Sequence, residues 1–155
     1  MGALEYKQYF DIRYDRSPNI PKIFKNLEQV IQKTKSARAC NMIAEFNQIQ
    51  DKKEGTAAEA AKYYSMSSDL GCQVGTHWMG TFYQLAFGLS KNLDKAIEYL
   101  TKSAKQGNGQ SCYQLSIIYS VEEAPHKDIK KAYHYFEKAL LRGVSLFDQF
   151  HELFK

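Results

Sequence analysis

No stretch of this 155-residue chain approaches the run of ~18 apolar residues that a membrane-spanning helix needs. Cysteine is scarce and odd in number. Cys40, Cys72 and Cys112 cannot form a closed disulfide framework, and their irregular spacing reads as buried small-residue duty in a reducing or shielded setting. Charge is not concentrated either: 21 basic and 17 acidic residues leave a net +4. The lysines alternate with acids, which argues against nucleic acid as the main partner. The opening MGALEYKQYFDIRYDR has neither the apolar core of a secretory signal nor the acid-poor make-up of a transit peptide. Met-Gly starts like a myristoylation site, but Tyr6 stands where Ser or Thr is required. An uncleaved internal import signal would escape this test. We expect an intracellular protein, soluble or peripheral, with cytoplasm and mitochondrion both open.

The residues of common active sites are also missing. His77, His126, His134 and His151 show no metal-ligand spacing such as HExxH, and no CxxC exists. His77 and Cys72 are five apart, which does not place them on one helix face. Asp94 and Glu98 share a face but stand among Lys91, Lys95 and Lys102, as on a solvated surface. No Gly-rich phosphate loop occurs. We expect no catalytic site, cofactor, metal or small-molecule substrate.

What is present is a repeat. Asn92–Gly107 reads NLDKAIEYLTKSAKQG, Asp128–Gly143 reads DIKKAYHYFEKALLRG, and Thr56–Gly71 reads TAAEAAKYYSMSSDLG. Their final glycines lie 36 apart, as do Ala60, Ala96 and Ala132, and Tyr63, Tyr99 and Tyr135. A period of this length implies stacked supersecondary units, none able to bury its apolar face alone. In the central copy Ala96, Tyr99, Leu100, Ser103 and Ala104 fall on one helical face, while Lys95, Glu98, Lys102 and Lys105 take the other. Asn92, Thr56 and Asp128 are competent N-caps, Thr56 with Glu59 forming a candidate capping box, and the glycines suit left-handed helix ends.

A second apolar-periodic helix precedes each copy. Gly75, Met79, Phe82 and Tyr83 form its buried stripe in the middle unit. Ser111, Leu115, Ile118 and Tyr119 do so in the last, and Ala39, Ile43 and Phe46 in the first, where Asn47 replaces the tyrosine. The small residues Ala44, Gly80 and Ser116 mark where the two helices of a unit cross. The spacing predicts an N-terminal arm over 1–20, a capping helix over 21–35 and units at 36–71, 72–107 and 108–143. A C-terminal capping helix over 144–155 completes the prediction. Ile23, Phe24, Leu27, Val30 and Ile31 would form the apolar face of the first cap.

Small-residue pairs, paired aromatics (Tyr63-Tyr64, Tyr99-Leu100, Tyr135-Phe136) and a glycine closing each unit of 36 resemble the Sel-one-like repeat family, a branch of the tetratricopeptide-like solenoids. Met79-Gly80 with Tyr83, Leu115-Ser116 with Tyr119, Lys95-Ala96 and Lys131-Ala132 carry the likeness over roughly Ser36–Gly143. The usual glycine-rich loop is reduced to Gly88 in one unit, and the cysteine pairs of secreted members are missing. The resemblance implies an all-α, right-handed α-solenoid of antiparallel helix pairs. It also implies a non-enzymatic adaptor for other proteins within a multi-subunit assembly, membrane-associated or mitochondrial cases included. An RNA-binding helical-repeat protein is the alternative; it would need a basic stripe along the first helices.

In such a solenoid the first helices line the concave side. Residues there not needed for packing are Arg38, Asn41, Met42 and Glu45, then Val74, His77, Trp78, Thr81 and Gln84, then Gln110, Tyr113, Gln114 and Ile117. Trp78, the single tryptophan, is either a partner anchor or filler between repeats. Tyr9, Phe10, Phe147, Phe150 and Phe154 form a candidate terminal docking surface.

Overall fold

The computed structural model describes residues 20–49, 56–121 and 125–145. The arm with Tyr9 and Phe10, and the C-terminal segment with Phe147, Phe150 and Phe154, lie outside the described residues. Seven helices are described and no strand lies among them: α1 Ile20–Thr34, α2 Ala37–Ile49, α3 Thr56–Asp69, α4 Gln73–Leu85, α5 Leu93–Lys105, α6 Gly109–Val121 and α7 Ile129–Leu141. Each packs on its neighbour in chain order, so the molecule is an all-α solenoid. The pairs α2–α3, α4–α5 and α6–α7 are its three repeat units, and α1 covers the front.

The periodicity survives down to single hydrogen bonds. Each second helix ends in one joint: the N–H groups of Cys72, Asn108 and Val144 donate to the carbonyls of Ser67, Ser103 and Ala139, each at 3.1 Å. Gly71, Gly107 and Gly143 donate to Ser68, Ala104 and Leu140 at 2.9 to 3.0 Å, with φ of +83°, +103° and +76°. This Schellman geometry satisfies the last carbonyls and needs a left-handed residue, hence glycine. The opposite ends match too. Asn92 and Asp128 accept from the backbone N–H of Lys95 and Lys131 at 3.0 Å, and their own N–H groups donate to Tyr83 and Tyr119 at 2.9 Å. The described part of α3 starts at Thr56.

The core is a chain of three linked clusters. Ile23, Leu27 and Ile31 of α1 bury against Ala39, Cys40, Met42 and Ile43. Ala60, Ala61 and Tyr64 of α3 meet Ala44, Met79 and Phe82. Leu100 and Ala104 of α5 meet Cys112, Leu115, Ile118 and Tyr119 of α6 and Ala132 and Ala139 of α7. Helices cross closely where side chains are small. A Cβ on Gly80 would lie 2.6 Å from Leu100 Cγ, and one on Gly75 would lie 2.6 Å from Ser67 Cβ.

Candidate interaction surface

The first helices of successive units approach each other. α2 touches α4. Between α4 and α6, His77 Nδ1 pairs with Ser111 Oγ and Thr81 Oγ1 donates to Gln114 Oε1, both at 2.9 Å. The second helices of successive units are linked as well. They are tied near their ends, with Gln106 Nε2 donating to Gly71 O at 3.0 Å and Arg142 Nη1 to Ala104 O at 2.6 Å. Successive first helices therefore meet along one side, and the second helices through their ends.

Several residues expected to be free on that side are instead bound into the stack. Thr81 and Met42 are buried, a correction to their assignment as surface: Thr81 spends its hydroxyl on Gln114, and Met42 joins the α1–α2 cluster. Asn41 is half-buried and donates to Cys72 Sγ at 3.4 Å across the first seam. Burial lowers the pKa of His77 to about 4, so its ring is a neutral hydrogen-bonding group between α4 and α6. Glu45, Tyr113 and Ile117 are half-buried, and Arg38 is exposed. Patterning could not reveal these cross-seam polar pairs, since each joins residues 31 to 34 apart with no local signature.

Trp78 does two jobs. Its ring stacks on Tyr64 at 5.6 Å and 20°, and it meets Phe82 edge-on at 6.2 Å, so one side belongs to the seam between the first two units. The side chain is still half-exposed and, with Gln48, Leu85 and Phe87, lines a cleft of about 280 Å³. Leu85 is 67% exposed beside it, and Tyr64 Oη donates to Gln48 Oε1 at 3.1 Å in its wall. A half-seated aromatic with an exposed leucine and amides around it can take an apolar side chain and hydrogen-bond the backbone that carries it. Among the described residues no three His, Cys, Asp or Glu side chains gather as a metal site.

A different recurring group stands at the unit ends. Tyr83 stacks on Tyr99 and Tyr119 on Tyr135, both at 5.8 Å, with Lys95 5.2 Å above the Tyr83 ring and Lys131 5.2 Å above the Tyr119 ring. The first unit lacks the arrangement because Asn47 and Glu59 replace the tyrosine and the lysine. Its Tyr63 turns to Glu28 of α1 instead, at 3.0 Å.

Comparison with known proteins agrees with this architecture. The Sel1 repeat profile matches residues 37–72, 74–108 and 109–144. The fold is similar to c5321, a protective antigen of uropathogenic Escherichia coli strains displaying an SLR fold, at TM-score 0.68 and 20% identity. That match covers 78% of this chain and 26% of that one. A Sel1 repeat protein from Oxalobacter formigenes aligns at TM-score 0.74 and 19% identity, over 92% of this chain and 56% of the other. Helicobacter pylori cysteine rich protein B aligns at TM-score 0.59 and 23% identity, over 79% and 92%. This chain therefore spans about a quarter of the first of these and just over half of the second. No curated protein matches the sequence. With three consecutive profile matches laid over helix pairs whose caps and joints recur every 36 residues, the chain belongs to the Sel1 repeat family.

Proposed function

We propose that this protein is a non-enzymatic scaffold that binds other proteins along the inner face of its stack, as one subunit of a larger assembly. The observation that carries the reading is the cleft at the seam of the first two units. There Trp78 is fixed by Tyr64 and Phe82 yet half-exposed, next to Leu85 and Phe87. An aromatic held rigid by its neighbours loses little entropy on binding, which suits an anchor. Half-exposed amides at Gln48 and Gln84 offer donors and acceptors for an extended or helical segment. The neutral state of His77 keeps this face weakly charged, which favours polypeptide over polyanion.

Affinity purification of the tagged chain from its native source, with the Trp78→Ala variant run in parallel, tests the reading. A stoichiometric protein partner recovered by the parent and lost in the variant, while the variant melts as one cooperative unit, supports it. A partner retained unchanged by Trp78→Ala moves the contact elsewhere, and a monomer recovering only RNA in a salt-sensitive way refutes it.

A further inference from the structure

The first helices of the three units follow matching cap residues, Ser36, Cys72 and Asn108. Ser36 Oγ accepts from the Ala39 N–H at 3.2 Å, and Asn108 Oδ1 accepts from the Ser111 N–H at 2.9 Å. Cys72 holds the same place before α4 with extended backbone, and its side chain makes no cap hydrogen bond. A neutral thiol is a poor acceptor, so the N–H groups opening α4 face sulfur where the other units offer oxygen. A negative charge on that sulfur would suit them and the positive end of the helix dipole.

Two further groups reach the sulfur from other helices. Asn41 Nδ2 of α2 donates to Cys72 Sγ at 3.4 Å. Ser67 of α3 is fully buried, and its hydroxyl lies close enough to act on the sulfur. It completes no hydrogen bond there. Among the described residues, Ser67 Oγ and Asn41 Oδ1 are buried side-chain oxygens without a partner. Orphaned buried polar atoms are costly and call for an explanation. One belongs to the hydroxyl beside the sulfur and the other to the amide that holds it. A single hydroxyl attached to the sulfur would partner both.

We propose that Cys72 is a modification site for hydrogen peroxide, which converts its sulfur to a sulfenic acid cradled by Asn41 and Ser67. The thiolate sulfur attacks one peroxide oxygen, so that the S–O bond forms as the O–O bond breaks. Hydroxide leaves with the electron pair and is protonated by solvent. Sulfur is oxidised by two electrons and the peroxide is reduced by the same two. In the product the sulfenic O–H donates to Asn41 Oδ1, and the Ser67 hydroxyl donates to the sulfenic oxygen.

The surroundings single out this thiol. Burial alone raises its pKa, but the Gly75 N–H, the Asn41 and Ser67 side chains and the Val74 N–H together outweigh that and leave it lowered. More of it is therefore thiolate at neutral pH than of an ordinary cysteine. Cys72 is half-buried, so a molecule as small as peroxide reaches it. Cys40 and Cys112 are both fully buried, and peroxide meets them only when the stack opens.

The inference holds whatever the inner face binds. Treatment of the full chain with one equivalent of hydrogen peroxide, read by intact-mass spectrometry with and without dithiothreitol, tests it. Quenching into denaturant with dimedone, which traps sulfenic acids, allows the site to be mapped. We expect a gain of one oxygen that dithiothreitol reverses, mapped to Cys72 and lost in Cys72→Ser. Dithiothreitol leaves methionine sulfoxide in place, so the reversible oxygen reports cysteine alone. Asn41→Ala and Ser67→Ala, each still melting as one cooperative unit, should slow the gain about 3–10-fold. No reversible oxygen in the parent, or one spread evenly over the three cysteines, overturns the proposal. A Cys40–Cys72 disulfide as the reversible product overturns it too, as do both alanine variants reacting at the parent's rate.

Discussion

Glycines in this chain serve two separable physical needs. Gly80 answers a need for space, since a Cβ there would meet Leu100 Cγ at 2.6 Å. Gly107 answers a need for dihedral freedom, because its φ is +103° while nothing lies within 4 Å of an added Cβ. Gly80→Ala should cost about 1–3 kcal/mol by overpacking and shift the methyl resonances of Leu100. Gly107→Ala should cost about 1–2 kcal/mol through backbone strain and leave those methyls in place. Chemical denaturation with methyl spectra distinguishes the two outcomes, and loss of Leu100 shifts in the first variant would refute the crossing geometry. Both glycines were legible in the sequence, one from its 36-residue recurrence and the other from standing where Ala44 and Ser116 stand. The neutral state of His77 was not. It was placed on a free surface because nothing within one turn of it marks Ser111, 34 residues away, as its partner.

At the level of elements, that histidine makes the α4–α6 seam sensitive to acid. Burial brings its pKa from the ordinary 6.5 to about 4, so the unfolded chain binds the proton more readily than the folded one. The stability His77 contributes is complete above pH 6.5 and is lost as pH falls through 4. Denaturant midpoints measured between pH 7 and pH 4 should fall for the parent and fall less for His77→Gln; equal slopes would show that the ring is hydrated. The helices themselves were predictable because capping residues, apolar periodicity and closing glycines agree locally. What was lost is the face. Thr81 and Met42 sit at positions that a helical wheel assigns to the surface, and only the approach of α6 and α1 buries them.

For the whole molecule, stacking makes stability a sum of unit and seam contributions. Among the described residues only the α4–α5 pair is flanked by complete units on both sides, so its amides should exchange most slowly. Native-state hydrogen exchange should rank α4 and α5 above α2–α3 and α6–α7; protection greatest in α7 would contradict nearest-neighbour coupling. The solenoid could be foreseen from the period alone. The side-by-side contact of α2 with α4 could not, because it depends on side-chain sizes on two helices at once.

The three thiols differ in what surrounds them. Cys40 is buried, and that burial raises its pKa. Cys112 is buried and its sulfur accepts from Arg142 Nη1 at 2.9 Å. Cys72 is half-buried at the N-terminus of α4; burial raises its pKa, but the Gly75 and Val74 N–H groups with the Asn41 and Ser67 side chains together more than offset this and leave it lowered. One equivalent of a maleimide dye should therefore attach to a single cysteine of the folded protein, and peptide mapping should find it at Cys72. Because that atom lies where the first two units meet, the label would report by its own emission whenever they part.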